Sequence, residues 1–295
     1  MKNECLPTLA VTAALLFAGT GASAEVLYTE KSLYRNIFVY EEDGLRCMKF
    51  GRYSWGRQTC MSLSDRNYLV FNYTRMMMAS LYLNPSPQRV LVIGLGGGTL
   101  PSTLPKVLSS VKIDAVEIDP AVVRVARKFF EFAPGKQTDV FEEDGRVFVK
   151  RMLKRGIKYD LVMLDAFDNE YIPEHLLTRE FLIEVRGLLS ERGVLAANTF
   201  ASTRLYNHES ATYYSAFGDF YSLKKNSRVI LVRLGGLPKM DELERNADIV
   251  EDRLRVFGTG KDWLLPLFGV ESGWPPNTRI LTDQYSPSNL LNGAF

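Results

Sequence analysis

The chain has 295 residues, 46% of them hydrophobic and 24% charged, a composition that excludes disordered and collagen-like classes and fits one large domain with a small appendage. Lys and Arg number 36 against 34 Asp and Glu, a net charge of +2 without long basic runs, which argues against nucleic acid as a partner. A charged ligand must therefore be held by local residues.

Residues 1–24 carry Lys2, an apolar run over 9–18 and Ala22-Ser23-Ala24, the layout of a secretory signal peptide cut after Ala24. This predicts export to the periplasm. The apolar run is too short to cross a bilayer, so no membrane span is expected in the mature chain. Cleavage removes Cys5 and leaves Cys47 and Cys60, which either pair or stand as two unrelated buried thiols. C-x₂-C spacing is absent and the chain has two histidines, His175 and His208, which argues against a metal site.

Segment 25–84 reads as a small β-rich domain, with strands over 36–40, 45–50 and 58–63, followed by a linking helix over 68–83 that ends before Asn84-Pro85. Segment 85–235 alternates strands and helices, which predicts an α/β, doubly wound, Rossmann-like and mostly parallel sheet. Its strands are expected over 90–95, 112–118, 138–142, 159–165 and 193–199. The helices between them fall over 121–130, 147–154 and 178–188, and 220–224 with 228–234 forms an antiparallel edge hairpin. Segment 236–295 reads as a helix over 241–256 and a tail packed on the core.

The first parallel strand runs straight into Gly94-Leu95-Gly96-Gly97-Gly98 ahead of a helix, where missing side chains let backbone amides approach a ligand. The second strand ends in Glu117-Ile118-Asp119, and an acid about 20 residues beyond such a turn is placed to bind the two hydroxyls of a ribose. Asp119, followed by Pro120, reads as a helix N-cap. Asp144 ends the third strand and either accepts from an adenine amino group, caps the next helix, or both. The fourth strand delivers Asp165 and Asp168, with Glu170 and Glu174 beyond; the cluster could hold a cationic substrate, although Glu170 and Glu174 read rather as an exposed acidic loop, and Asp165 is placed to take a proton from an amine. Glycine turn and dehydrogenase do not match, because Leu100-Pro101 follows where G-x-G-x-x-G needs its third glycine near. Asp283 in the tail is a weaker candidate for reaching the site.

Taken together, 90–199 resembles the catalytic core of spermidine synthases and related polyamine aminopropyltransferases, which sits on the class I S-adenosylmethionine-dependent methyltransferase fold. The resemblance rests on the glycine turn, Glu117-Ile118-Asp119, Asp144-Gly145, the D-x-x-D pair Asp165 and Asp168, and Leu177-Thr178-Arg179-Glu180-Phe181. Upstream, Ser32-Leu33-Tyr34-Arg35-Asn36-Ile37-Phe38-Val39 is similar to the family's S-x-Y-Q-x-I-x-V, and Gln58 and Tyr73 fall where the family has a glutamine and a tyrosine. The resemblance implies that Glu117 holds the ribose and Asp144 the adenine, with Gln58 in the donor site and Gly94, Gly96 and Gly98 near the sulfonium end. It likewise implies that Asp165 draws a proton from the acceptor, with Asp168 and Tyr73 lining the acceptor groove. The implied reaction moves an aminopropyl group from decarboxylated S-adenosylmethionine to an amine such as putrescine and releases methylthioadenosine. Donor and acceptor are then co-substrates, no cofactor is permanently bound, and a homodimer through the N-terminal strands is expected as in relatives.

Three positions depart from the family pattern: Gly97 replaces an aspartate of the turn, Arg35 the S-x-Y-Q glutamine, and Arg75 the glutamate of Y-x-E. The shift disfavours a polycation. Arg35 or Arg75 either pairs with a carboxylate, such as that of undecarboxylated S-adenosylmethionine, or sits in a surface ion pair. Two rival readings follow, an S-adenosylmethionine-dependent methyltransferase and an exported protein that binds an adenosyl ligand without turnover.

Overall fold

The structure, a computed structural model, describes residues 25–51, 56–166 and 173–291. Residues 1–24, read above as a signal peptide, and Asp168 lie outside them. An antiparallel meander comes first: β1 (Glu25–Lys31), β2 (Asn36–Glu42), β3 (Leu45–Phe50) and β4 (Arg57–Ser62). Cys47 and Cys60 face each other across β3 and β4 and are joined as a disulfide, with Cα atoms 4.1 Å apart. Strand β1 was not among the expected strands. It is an edge strand whose apolar residues Val26 and Leu27 stay exposed, so it lacks the alternation that marks a half-buried strand.

The main sheet has the order β10-β11-β9-β8-β5-β6-β7. Strands β5 (Arg89–Ile93), β6 (Lys112–Glu117), β7 (Thr138–Glu142), β8 (Tyr159–Leu164) and β9 (Leu189–Thr199) run parallel, and β10 (Tyr221–Lys224) and β11 (Arg228–Arg233) form the antiparallel edge. This is the expected doubly wound sheet. Its central strands are buried on both faces, which is why they read as continuous apolar runs.

Helices α1 (Asn72–Met78) and α2 (Ser80–Leu83) replace the single linking helix expected, with a break at Ala79. Both bury Met76, Met77, Met78 and Tyr82 in the core under the sheet, against the long α8 (Met240–Arg255). After the glycine turn comes α3 (Thr99–Val107); α4 (Pro120–Phe129), α5 (Gly145–Lys154) and α6 (Arg179–Leu188) begin at the side-chain caps Asp119, Asp144 and Thr178, each accepting a backbone N–H of its first turn. Helix α7 (Leu205–Phe217) has no counterpart in the sequence reading, because its buried Glu209, Ser210 and Thr212 erase the contrast between an apolar and a polar face. Strand β9 begins four residues earlier than expected, since Leu189 leaves α6 extended and pairs at once with Tyr159.

The two sheets meet through α4: Ile37, Val39 and Met48 pack on Ala121, Val122 and Val125. That contact hangs β4 over the glycine turn. The tail closes with the short helices α9 (Lys261–Leu264) and α10 (Ser288–Leu291).

Candidate active site

A cavity of about 250 Å³ opens where the tips of β5, β6 and β8 converge, roofed by β4. Gly94 makes the convergence feasible: with φ +96° it takes a conformation closed to most side chains, and a Cβ there would lie 2.1 Å from the Asp165 carbonyl oxygen. Gly96 also lines the cavity. Gly98 does not, which corrects the expectation that it approaches the ligand: a Cβ there would strike the Phe132 ring at 2.5 Å, so this glycine serves the packing behind the turn. At Gly97 the added atom would lie 2.8 Å from both Cγ2 and Oγ1 of Thr59.

Glu117, at the tip of β6, is fixed by the turn it faces. Its Oε2 accepts from the Leu95 amide and its Oε1 from the Asp119 amide, both at 3.0 Å. Burial raises its carboxyl above the usual range, against the pull of those amides. Asp144 is both cap and cavity wall: Oδ1 accepts from the Val147 amide at 2.9 Å, and Oδ2 lies 2.8 Å from His175 Nε2. His175 also lines the cavity. Asp119 caps α4 as expected, and its Oδ2 is buried with no partner among the described residues.

Asp165 follows β8, its amide donating to the Ile93 carbonyl at 2.8 Å. The Asn198 carboxamide, at the adjacent tip of β9, donates to its Oδ1 at 3.0 Å, and the Tyr73 hydroxyl from α1 hydrogen-bonds to it as well. Burial is the dominant influence and Glu117 adds to it, so the carboxyl rises to about 7 although Asn198 and Tyr73 both pull it down. The same burial, then the Asp165 charge, holds the Tyr73 phenol well above its ordinary value, so it remains a donor. Gln58 and Tyr73 also line a second cavity of about 450 Å³, bordered by Asn198 and Asn226. The two cavities share Gln58 and Tyr73 as lining residues, and Asp165 lines the first.

Arg35 lines the first cavity, its guanidinium 4.9 Å from the Phe50 ring centre. Arg75 lines neither cavity. Its Nε donates to the Leu69 carbonyl at 2.6 Å, and its guanidinium stacks over Tyr68 and Trp263, so it is a packing residue and not a partner for a substrate carboxylate. Asp283 likewise stays away from the cavities, clamped by Arg146 and Thr178. Sequence reasoning missed Asn198 and Thr59. Asn198 ends an expected strand beside that of Asp165, and that placement was the available signal.

The family model described as the spermine/spermidine synthase domain matches residues 70–233. A polyamine aminopropyltransferase of Vibrio vulnificus is 42% identical, over 98% of this chain and 99% of that protein. The chain belongs to the spermine/spermidine synthase family. The fold agrees: a probable spermidine synthase from Corynebacterium glutamicum superposes with a TM-score of 0.66 at 15% identity, covering 88% of this chain and 97% of that one. Human methyltransferase-like protein 13, solved in complex with SAH, matches with a TM-score of 0.57 at 25% identity, over 70% of this chain and 96% of that one. Spermidine synthases and methyltransferases thus share this sheet.

Proposed function

We propose that the protein transfers an aminopropyl group from decarboxylated S-adenosylmethionine to an amine acceptor such as putrescine, releasing methylthioadenosine. The observation that carries this reading is Asp165, a buried carboxylate with a carboxyl near 7, set in one cavity with Glu117 and hydrogen-bonded to Tyr73, which with Gln58 also lines the second cavity. An alkylamine with a lysine-like pKa near 10.4 is protonated at neutral pH and has no free lone pair. Asp165 takes that proton, with Tyr73 donating to the carboxylate. The neutral nitrogen attacks the carbon next to the sulfonium. As the C–N bond forms, the C–S bond breaks and its electron pair neutralises the sulfur. Glu117 holds the ribose hydroxyls, Asp144 the adenine, and Gly94 and Gly96 let the turn approach the sulfur; a role for Asp168 toward the acceptor rests on the D-x-x-D sequence pair alone. Membership of a family of aminopropyltransferases supports the same reading.

The test is incubation with decarboxylated donor and a panel of diamines, followed by assay for methylthioadenosine. Release is expected, and Asp165→Asn should lower it by about 10²–10⁴-fold. No release with any diamine overturns the proposal, and S-adenosylhomocysteine from the carboxylated donor would assign methyl transfer instead. We further infer export through 1–24, which suits the Cys47–Cys60 disulfide in an oxidising compartment, and a homodimer through the N-terminal sheet. Sequencing the mature N-terminus and measuring the mass in solution check these two.

A further inference from the structure

Arg228 heads the largest side chains fully closed off from solvent, and its ion-pair partner Glu209 is equally buried. Arg228 opens β11 and stands in register with Thr199 at the tip of β9. Its guanidinium donates from Nε to Thr199 Oγ1 at 2.7 Å, from Nη1 to Ser210 Oγ at 2.8 Å and from Nη2 to Glu209 Oε2 at 2.8 Å, and it lies 4.0 Å from the Tyr206 ring centre. Glu209 Oε2 also accepts from the Phe200 amide at 3.4 Å. Two elements, β11 and α7, thus grip two consecutive residues of one strand tip.

Stability does not account for this arrangement. Desolvating two charges is costly, and well-packed apolar replacements of buried pairs are often neutral or stabilising. What the grip does fix is geometry. The residue before Thr199 is Asn198, whose carboxamide holds Asp165, and the β8–β9 register that pairs Leu164 with Ala197 brings those two side chains abreast. We propose that the Arg228–Glu209 pair is a positioning unit for the proton acceptor: it pins the tip of β9 so that Asn198 keeps Asp165 aimed at the attacking amine. The inference rests on the aminopropyl-transfer reading for its kinetic consequence, and on geometry alone for its effect on the Asp165 side chain.

Among the described residues, the charged and titratable groups that act on Asp165 are Glu117 from β6 and Tyr73 from α1; Asn198 from β9 is neutral and contributes as a donor. Releasing the tip removes that donor while Glu117 and burial remain, so the Asp165 titration moves to higher pH. Thr199→Val removes both Oγ1 hydrogen bonds to Arg228, the one accepted from Nε at 2.7 Å and the one donated to the Arg228 carbonyl at 3.3 Å, without changing the shape of the side chain. We expect kcat to fall 3- to 10-fold with KM for the donor within twofold, and the acid limb of the kcat–pH profile to move up. Arg228→Met/Glu209→Leu, which keeps volume and removes both charges, should retain or raise the melting temperature and lower kcat at least tenfold. In an Asn198→Ala background, Thr199→Val should have no further effect on the profile. An equal additional effect there, or an unmoved profile in folded Thr199→Val protein, overturns the proposal. Carboxyl-labelled aspartate followed by NMR reads the same Asp165 midpoint without turnover: an upward move in Thr199→Val supports positioning even in a protein that transfers nothing, and an unmoved midpoint overturns it.

Discussion

Asp165→Asn should make the protein more stable as well as inactive, and increasingly so as pH rises. The carboxyl goes from its ordinary value of 3.8 in the unfolded chain to about 7 in the fold. A raised acid favours the fold fully below the unfolded value, and that contribution is lost as pH climbs through the folded one. Above pH 7 the native state therefore holds an ion that burial disfavours. Integrating proton uptake between the two states gives a ceiling of about 2 kcal/mol of destabilisation at pH 5 and about 4 kcal/mol at pH 8. Asparagine keeps the oxygen that accepts from Asn198 and carries no charge, so it removes most of this cost. Glu209, also raised to about 7, titrates identically in both proteins and cancels in the difference. At roughly 2–4 °C per kcal/mol for a chain of this size, the melting temperature of the variant should exceed that of the wild type at pH 8 by about 5–15 °C, and by about half as much at pH 5. Melts followed by circular dichroism across that range measure the gap. A gap that does not widen with pH, or a variant less stable at pH 8, would refute the assignment of Asp165 as a carboxylate strained by burial.

Gly97→Asp should cost about 1–3 kcal/mol, because its Cβ lies 2.8 Å from Thr59, and Gly97→Asp/Thr59→Ala should recover most of that loss in urea melts. Reducing the Cys47–Cys60 bridge, or replacing both by Ala, should cost roughly 3 kcal/mol and raise the calorimetric Kd for methylthioadenosine several-fold, since β4 carries Gln58 and Thr59 into the cavity. Arg75→Ala should lower stability by about 1–2 kcal/mol through the lost Leu69 hydrogen bond and ring stacking, while kcat and both KM values stay within twofold.

The parallel strands were legible because burial on both faces writes itself as runs such as Val90-Leu91-Val92-Ile93, and strand ends together with the spacing after the glycine turn and the acidic run singled out Glu117, Asp144 and Asp165, all of which line the cavity. Helix α7 was not, since a helix that buries Glu209 and Ser210 against Arg228 has no face that a hydropathy pattern can find. Asn198 was passed over because a carboxamide carries neither charge nor motif; only its place beside Asp165 makes it chemical. Three consecutive glycines, Gly96 to Gly98, look alike in sequence, yet Gly96 lines the cavity with room to spare, Gly97 lines it with its Cβ position closed by Thr59, and Gly98 packs on Phe132. What separates them comes from other parts of the chain, which local reading does not reach.

The missing acid of the turn and the presence of Thr59 are one structural event. A side chain at residue 97 and the Thr59 side chain claim the same space, and Thr59 has little freedom to withdraw: it is buried, its Oγ1 lies 3.4 Å from Thr99 Oγ1, and its strand is covalently joined to β3 one residue later at Cys60. The end of the cavity beside the turn is therefore walled by the hydroxyls of Thr59 and Thr99 and the carboxamide of Gln58, with the Arg35 guanidinium in the same cavity. Neutral hydroxyls match an ammonium less strongly than a carboxylate does, because only the latter brings an opposite charge to the hydrogen bond. Discrimination between donors that do and do not carry a terminal carboxylate should accordingly be weak in this protein, and Gly97→Asp/Thr59→Ala should sharpen it toward the decarboxylated form. Side-by-side titration of both proteins with the two donors reads the change as a ratio of dissociation constants. An unchanged ratio would mean that the space Thr59 occupies is not where the donor's tail lies.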